Sequence, residues 1–325
     1  MNGRVRTAAV FGIVGLGAMA WALLGTATPP LVLLIAAAAA PTAVALAVWS
    51  RLDSPYPLTA ATGGAVIGPV VAIAGHALVA AFAAAFLLGF ADSGKALLDA
   101  LRVEPDLSTL LASPWVLVML AAFVVAVPIV EEAGKLLGAL LGRRTNRGEA
   151  FLSGVAAGAA FATVENVIYA VIGAVYGAPW PLILVARAAG AAVHPLATGL
   201  ATLGWWDARH GGGGKALAKG LFAAAGVHAL WNATIVAVTV AETAAHVSGA
   251  SGQLGTASLG FSAAVGAAMA AALWRLTATV SEDRQAIEGT QYTQAHAVAA
   301  WIVLAATVLV PAAIIIAVFP SFYFG

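Results

Sequence analysis

The sequence contains no cysteine and carries very little charge. Without cysteine there are no disulfides, no thiolate metal sites and no cysteine nucleophiles. Charged residues make up 9% of the 325 residues and hydrophobic residues 62%, whereas soluble domains carry roughly 25% charge. The formal net charge is only +1, so no basic surface for nucleic acid is expected. The composition therefore excludes a soluble globular enzyme and indicates a polytopic protein embedded in a lipid bilayer.

Long apolar runs predict an all-α membrane protein with about nine transmembrane helices. A helical span needs about 20 mostly apolar residues, and nine stretches meet this requirement. They cover residues 7–26, 31–49, 58–91, 115–141, 150–176, 182–206, 216–241, 254–276 and 297–319. We number them as predicted spans 1 to 9. The connecting segments are short, so no attached soluble domain is expected.

Loop charges predict the orientation of these spans. With the N-terminus in the cytoplasm, the cytoplasmic segments hold eleven Lys or Arg residues, and the external segments hold two, Lys95 and Arg102. Positive residues accumulate in cytoplasmic loops, so the N-terminus is predicted to be cytoplasmic. An odd number of spans then places the C-terminus outside, and the expected location is the cell (plasma) membrane.

Polar residues inside predicted spans 4 to 7 are the candidate functional groups. A charge in the hydrocarbon core costs at least ~2.5–3.5 kcal/mol on insertion scales, so such residues are functional candidates by default. The set consists of Glu131, Glu132 and Lys135 in span 4, Glu165 and Asn166 in span 5, His194 in span 6, and His228 and Asn232 in span 7. At 1.5 Å per residue, its carboxylates and imidazoles lie roughly 15 to 22 Å from the inner ends of their helices. The shared depth predicts one internal site.

Helical spacing suggests how these groups are arranged. Lys135 follows Glu131 by four residues, so the two share a helix face and can pair. Glu132 points about 100° away from Glu131 and is expected to bond a neighbouring helix or contact the substrate. His228 and Asn232 also lie four residues apart, as a ligand or base and its orienting partner would.

Such a set of carboxylates and imidazoles is suited to activating a water molecule. A carboxylate accepts the proton, while imidazoles or a bound metal stabilise the oxyanion. Buried Glu and His residues also form proton relays, so a proton-coupled transporter is the alternative from another class. Transporters often show repeat symmetry and broken helices. The sequence shows no convincing repeat, and its polar residues fall in four successive spans, which favours an active site.

The motifs match a known family in order, helix placement and spacing. They resemble the PrsW family of intramembrane proteases through Glu131-Glu132-x-x-Lys135, Phe161-x-x-x-Glu165-Asn166, His194 and His228-x-x-x-Asn232. A CAAX-type or peptide-processing membrane protease is the alternative within the enzymes. The resemblance covers roughly residues 115–240. It divides the chain into N-terminal helices with an external loop (1–114), a protease core in spans 4 to 7 (115–241) and two C-terminal helices (242–325).

The resemblance implies hydrolysis of a peptide bond in or at the membrane. The expected partner is a single-pass membrane protein or peptide in a lipid bilayer, with an anti-sigma factor as the specific substrate that the family suggests. It implies catalytic roles for five residues, supported by Lys135, Asn166 and Asn232. The five are Glu131, Glu132, Glu165, His194 and His228.

The need for a metal is left open by these residues. Glu165, His194 and His228 would form a Zn²⁺ set with Glu131 as the base. Glu131 could equally activate water directly, with His194 or His228 donating to the oxyanion. The first alternative is a metalloprotease, and the second is a metal-free, glutamate-dependent hydrolase.

Overall fold

The computed structural model describes residues 30–52, 54, 56–89, 114–142, 144–175, 186–247 and 251–282, and every regular element in these ranges is helical. The α-helices are α1 (Pro30–Arg51), α2 (Leu58–Gly89), α3 (Pro114–Ala121), α4 (Val127–Ala139), α5 (Arg147–Val175), α6 (Val193–Asp207), α7 (Gly213–Val247) and α8 (Ser251–Glu282). Two π turns, Ala122–Ala126 and Ala208–Gly212, join α3 to α4 and α6 to α7.

The predicted all-α membrane fold is confirmed for the described part of the chain. Five helical stretches there are long and apolar enough to cross a membrane. Predicted spans 1 and 9 (residues 7–26 and 297–319) lie outside the described residues. The count of nine spans therefore stays a prediction, as does the division at residues 114 and 241.

Predicted span 4 is helical but not uniform. Its first part, α3, passes through the π turn Ala122–Ala126 before α4 begins at Val127. Pro128 is the second residue of α4. A proline there has no N–H to donate, and its ring clashes with the carbonyl four residues earlier. The wider turn is a common adjustment at such points and often borders functional sites.

Predicted span 6 (182–206) is not a single helix, which corrects the expectation. Residues 186–189 are helical, residues 190–192 form a turn, and α6 begins at Val193. Pro195 explains the break, because proline is tolerated in the first turn of a helix and disrupts its interior. Gly190 lies in the turn, where a Cβ would overlap the indole of Trp231. The broken segment brings His194 into the first turn of α6.

Helix α5 lies at the centre of the described bundle. Between Arg147 and Tyr169, 83% of its most apolar window is buried, against 28% for the corresponding window of α8. Two glycines let α6 pack closely on α5. A Cβ on Gly154 would overlap the backbone of Thr198, and one on Gly158 would overlap the backbone of His194. Small residues at such contacts allow helices in membranes to approach closely.

Two connecting segments meet at one end of the bundle. Arg147 at the start of α5 forms an ion pair with Asp207 at the end of α6, with Nε and Oδ1 3.0 Å apart. At the same end, Arg144 and Arg209 both contact the ring of Trp205. The α4–α5 and α6–α7 connections therefore lie on the same side of the bundle.

Candidate active site

All eight polar residues singled out in the sequence lie on α4 to α7 and turn toward the interior of the described bundle. Seven of them are buried, and the side chain of Glu165 is 14% exposed. The ring centroids of His194 and His228 are 4.7 Å apart with nearly perpendicular planes. Glu131 and His228, which are 97 residues apart in the chain, therefore belong to one polar cluster.

Lys135 lies at the centre of the cluster. Its ammonium is 2.6 Å from Oε1 of Glu132, 2.8 Å from Nδ1 of His194 and 3.5 Å from Oε2 of Glu131. The side chain is fully buried and stands 4.3 Å from the ring centroid of Phe161. An ammonium has three donors and no acceptor, so all three N–H groups have an acceptor here. Lys135 thus holds two glutamates and a histidine together.

Glu132 orients His228. One carboxylate oxygen, Oε1, accepts a hydrogen bond from Nδ1 of His228 at 2.9 Å, and the other accepts one from the Thr198 hydroxyl at 3.0 Å. A carboxylate on one imidazole nitrogen selects the tautomer and leaves the other nitrogen with its lone pair. Nε2 of His228 faces Oε2 of Glu131 at 3.7 Å. His228 therefore presents an acceptor beside Glu131.

Two sequence interpretations of these side chains are corrected by this arrangement. Glu132 bonds neighbouring helices as expected, through Thr198 and His228, but it does not leave the Glu131 cluster, because Lys135 is also three residues after Glu132 and contacts both carboxylates. Asn232 is not the orienting partner of His228. Its amide donates a long hydrogen bond, 3.4 Å, to the carbonyl of Phe123 in the π turn.

His194 uses both ring nitrogens. Lys135 can only donate, so Nδ1 of His194 is the acceptor and the proton resides on Nε2. That Nε2–H points to Oε2 of Glu165, 2.9 Å away. Glu165 also forms an ion pair with the guanidinium of Arg187, which lies over the ring of Tyr169. The two charges offset each other in a buried setting, where an unpaired charge is costly.

Asn166 connects this ion pair to α1. Its side-chain oxygen accepts a hydrogen bond of 2.7 Å from Nε of Arg187, and its amide nitrogen donates one of 2.7 Å to the Ala37 carbonyl. Thr163, one turn earlier, reaches the Ala38 carbonyl at 3.1 Å. Asn166 therefore supports the site from behind and does not line its cavity.

A cavity of about 280 Å³ opens beside Glu131. It is bordered by α2, by α3 with the first π turn, and by α4, α5 and α7. Its polar walls are supplied by His76, Glu131, Glu165, Tyr169, His228 and Asn232. Most of the remaining lining is apolar, as in most small-ligand and substrate pockets. Glu132, Lys135 and His194 lie behind this surface.

Sequence reasoning missed His76. Nε2 of His76 is 3.1 Å from Oε1 of Glu131, and its side chain is 44% exposed. The sequence does contain a feature that identifies it, because His76 is the one ionisable side chain within the apolar window Leu58–Phe82. Arg187 and Thr198 were also outside the predicted set. Thr198 carries no charge, so the buried-charge criterion could not find it.

The donor set that best suits a metal differs from the predicted one. Glu131, His194 and His228 each offer one ligand atom, and these atoms lie within 4.8 Å of one another. Two imidazoles and a carboxylate are suitable ligands for Zn²⁺. Glu165, predicted in place of Glu131, is instead paired with Arg187. Lys135 already contacts Glu131 and His194, so its ammonium competes with a metal for two of the three donors.

Comparison with known families confirms the resemblance carried by the sequence motifs. The model of the family described as PrsW family intramembrane metalloprotease matches residues 69–254, more than half of the 325-residue chain. The matched range includes every residue that lines the cavity, His76 among them. No curated protein and no solved structure matched the chain.

Proposed function

Because the chain belongs to the PrsW family of intramembrane metalloproteases, we propose that it cuts a single-pass membrane protein with Glu131 as the base that activates water. Family membership makes it a peptide hydrolase of the membrane and supports this function over a proton-coupled transporter. One structural observation carries the proposed role of Glu131. This carboxylate lines the cavity and faces the unprotonated nitrogen of a histidine that another carboxylate orients.

The first step is attack of water on the scissile carbonyl. Water positioned between Oε2 of Glu131 and Nε2 of His228 would contact two acceptors that are 3.7 Å apart. As the new C–O bond forms, one proton of the water passes to Glu131, and the carbonyl π electrons move onto the oxygen. A base in hydrogen-bond reach of the attacking water contributes about 10²–10⁴-fold to such a step.

The second step is expulsion of the amine. The C–N bond breaks, the carbonyl re-forms, and the leaving nitrogen takes the proton held by Glu131. Glu131 returns to the carboxylate form, so protons balance over the cycle. Lys135 and Glu132 remain in place behind the cavity, where they keep Glu131 and His228 in position.

A metal would be held by Glu131, His194 and His228, and Glu131 would then be a ligand of the ion instead of the free base that activates water. Zn²⁺ bound there would supply positive charge to the oxyanion and to the attacking water. Occupation requires that the Lys135 ammonium withdraw from His194 Nδ1, where it now donates. Glu165 with Arg187 keeps the other nitrogen of His194 protonated in either case, since a carboxylate lies 2.9 Å from it.

The protein is an integral membrane protein, and we propose the plasma membrane with a cytoplasmic N-terminus as its location. The excess of Lys and Arg in the predicted cytoplasmic segments supports this orientation. We propose an anti-sigma factor as the specific substrate, because it is a single-pass protein of that membrane. A cavity of about 280 Å³ with apolar walls around a few polar groups suits a short apolar segment of such a substrate.

The test uses the full chain in liposomes together with a panel of single-pass membrane proteins, one of which is an anti-sigma factor. Each panel member carries a different tag at each end, and we refer to this set as the tagged panel. The wild type is expected to cut at least one member. Glu131→Gln should lower the rate by about 10²–10⁴-fold. His210→Gln, on the exposed π turn after α6, is the control and should match the wild type. Equal cleavage by wild type and Glu131→Gln would contradict the role of Glu131.

A further inference from the structure

His76 is the polar group of α2 that reaches the candidate active site. Apart from it, the apolar window Leu58–Phe82 contains no ionisable residue. An ionisable residue in such a helix is costly and marks a functional position by default. Its neighbour Gly75 explains how it comes so close. A Cβ on Gly75 would overlap the side chain of Val130, so only glycine lets α2 touch α4 here and brings His76 beside Glu131.

The contact made by His76 is the shortest of three to the Glu131 carboxylate. Nε2 of His76 is 3.1 Å from Oε1, whereas Lys135 and His228 stand 3.5 Å and 3.7 Å from Oε2. One carboxylate oxygen is thus bound from the α2 side, and the other faces the His228 side. A hydrogen bond to one oxygen restricts rotation of the carboxylate, so His76 holds the other oxygen toward His228.

The side chain of His76 is more exposed than those of the other groups around Glu131. Its side chain is 44% exposed and lines the cavity, while those of Glu131, Lys135 and His228 are at most 3% exposed. A histidine that served only helix packing would be enclosed by the neighbouring helix. His76 instead lines the cavity and reaches the buried Glu131 carboxylate with Nε2.

We propose that His76 is a positioning residue for the hydrolysis, whose Nε2–H donates to Oε1 of Glu131 and fixes Oε2 toward His228. The proposal rests on the proposed role of Glu131 as the base. It also makes α2 part of the active site, although the sequence motifs begin only at Glu131. Partners that orient a reacting or ligating side chain typically contribute about 10–100-fold.

The kinetic test compares two substitutions in the full chain in liposomes. His76→Leu removes the donor but suits an apolar helix, so the fold should persist. We expect kcat on the tagged panel to fall about 10–100-fold, with KM within about twofold of the wild type. His76→Gln keeps an N–H donor at similar reach and should restore most of kcat. An unchanged kcat in His76→Leu, an effect on KM alone, or no rescue by glutamine would each overturn the proposal.

A spectroscopic test separates this proposal from the proposed function. In protein with ¹⁵N-labelled histidine, the His76 signals are those lost in His76→Leu. Glu131→Ala should shift the Nε2 signal of His76 and leave the signals of His210 unchanged. Failure of the wild type to cut any member of the panel would defeat the proposed function alone. An Nε2 signal that does not respond to Glu131→Ala would defeat the positioning role of His76 even if cleavage occurs.

Discussion

The two adjacent glutamates of α4 lie in different surroundings. Glu132 belongs to a closed cluster with Lys135, Thr198 and Nδ1 of His228, where each polar atom is within hydrogen-bond distance of a partner. Glu131 borders the cavity, with Oε1 bound by His76 and Oε2 facing groups at 3.5 Å or more. Although the two residues are adjacent in sequence, the carboxylate of Glu132 holds the site together and that of Glu131 is available to a substrate.

This difference shows why one helix needs both acids. A single buried glutamate beside Lys135 would be tied to the ammonium and would be a poor base. With two glutamates present, Glu132 makes the short contact to the Lys135 ammonium at 2.6 Å, and Glu131 lies farther from it at 3.5 Å. Lys135 therefore balances the charge of the pair without blocking the carboxylate that faces the cavity.

The largest expected effect comes from removing the cation of the closed cluster. Lys135→Met removes the cation that balances the charge of buried Glu132, and losing one member of a buried ion pair costs about 3–5 kcal/mol. The free energy of unfolding in detergent, measured by titration with a denaturing detergent, should fall by that amount. Lys219→Met is the matched control, because Lys219 is exposed, and it should change stability by less than about 0.5 kcal/mol. Equal stabilities of the two variants would show that the closed cluster is not held by its charges.

The same substitution also tests how Lys135 affects metal binding. The ammonium of Lys135 lies 2.8 Å from Nδ1 of His194 and repels a divalent cation at the Glu131–His194–His228 set. Lys135→Met should therefore bind Zn²⁺ at least about tenfold more tightly than the wild type, since nearby unit charges interact by several kcal/mol. Equilibrium dialysis with metal analysis measures this affinity. Adding His228→Leu should remove the gain, and weaker binding by Lys135→Met would mean that the lysine assists the metal.

The smallest expected effect concerns the π turn at the cavity wall. Asn232 donates one long hydrogen bond, 3.4 Å, to the carbonyl of Phe123, and a single neutral hydrogen bond is worth about 0.5–1.5 kcal/mol. Asn232→Ala should lower kcat on the tagged panel by about 2–10-fold, the equivalent change in rate. A loss of the same size as that of Glu131→Gln would place Asn232 in the chemistry and not in the wall.

Much of the site was accessible from the sequence because charge is so costly in a membrane. Six ionisable residues inside apolar runs identified α4 to α7 as the helices that meet, and their similar depth predicted that these groups would lie together. The glycines that permit such contact, Gly154 and Gly158, were visible as a pair spaced by four residues. The structure was needed to identify the residue that each glycine contacts, since nothing in the sequence pairs Gly158 with the backbone of His194.

The remainder depended on local geometry that residue spacing does not determine. The angle of about 100° between Glu131 and Glu132 describes where their Cβ atoms point, but both long side chains bend toward Lys135. The break before α6 arises from Pro195 within an otherwise apolar run, which hydropathy alone treats as continuous. His76 was passed over because it belongs to no motif, although its position in an apolar helix carried the same signal as the other ionisable groups.

Single-turnover cleavage of the tagged panel in liposomes tests most directly whether Glu131 is the base and Glu132 the residue that orients His228. Glu131→Gln and Glu132→Gln are compared under identical conditions, with Glu149→Gln as the control, because that carboxylate lies at the start of α5 and bonds Thr145. We predict that Glu149→Gln matches the wild type and that Glu132→Gln loses about 10–100-fold through misorientation of His228. Glu131→Gln should be slower still. If Glu132→Gln is instead the slower of the two, then Glu132 is the base and Glu131 is not.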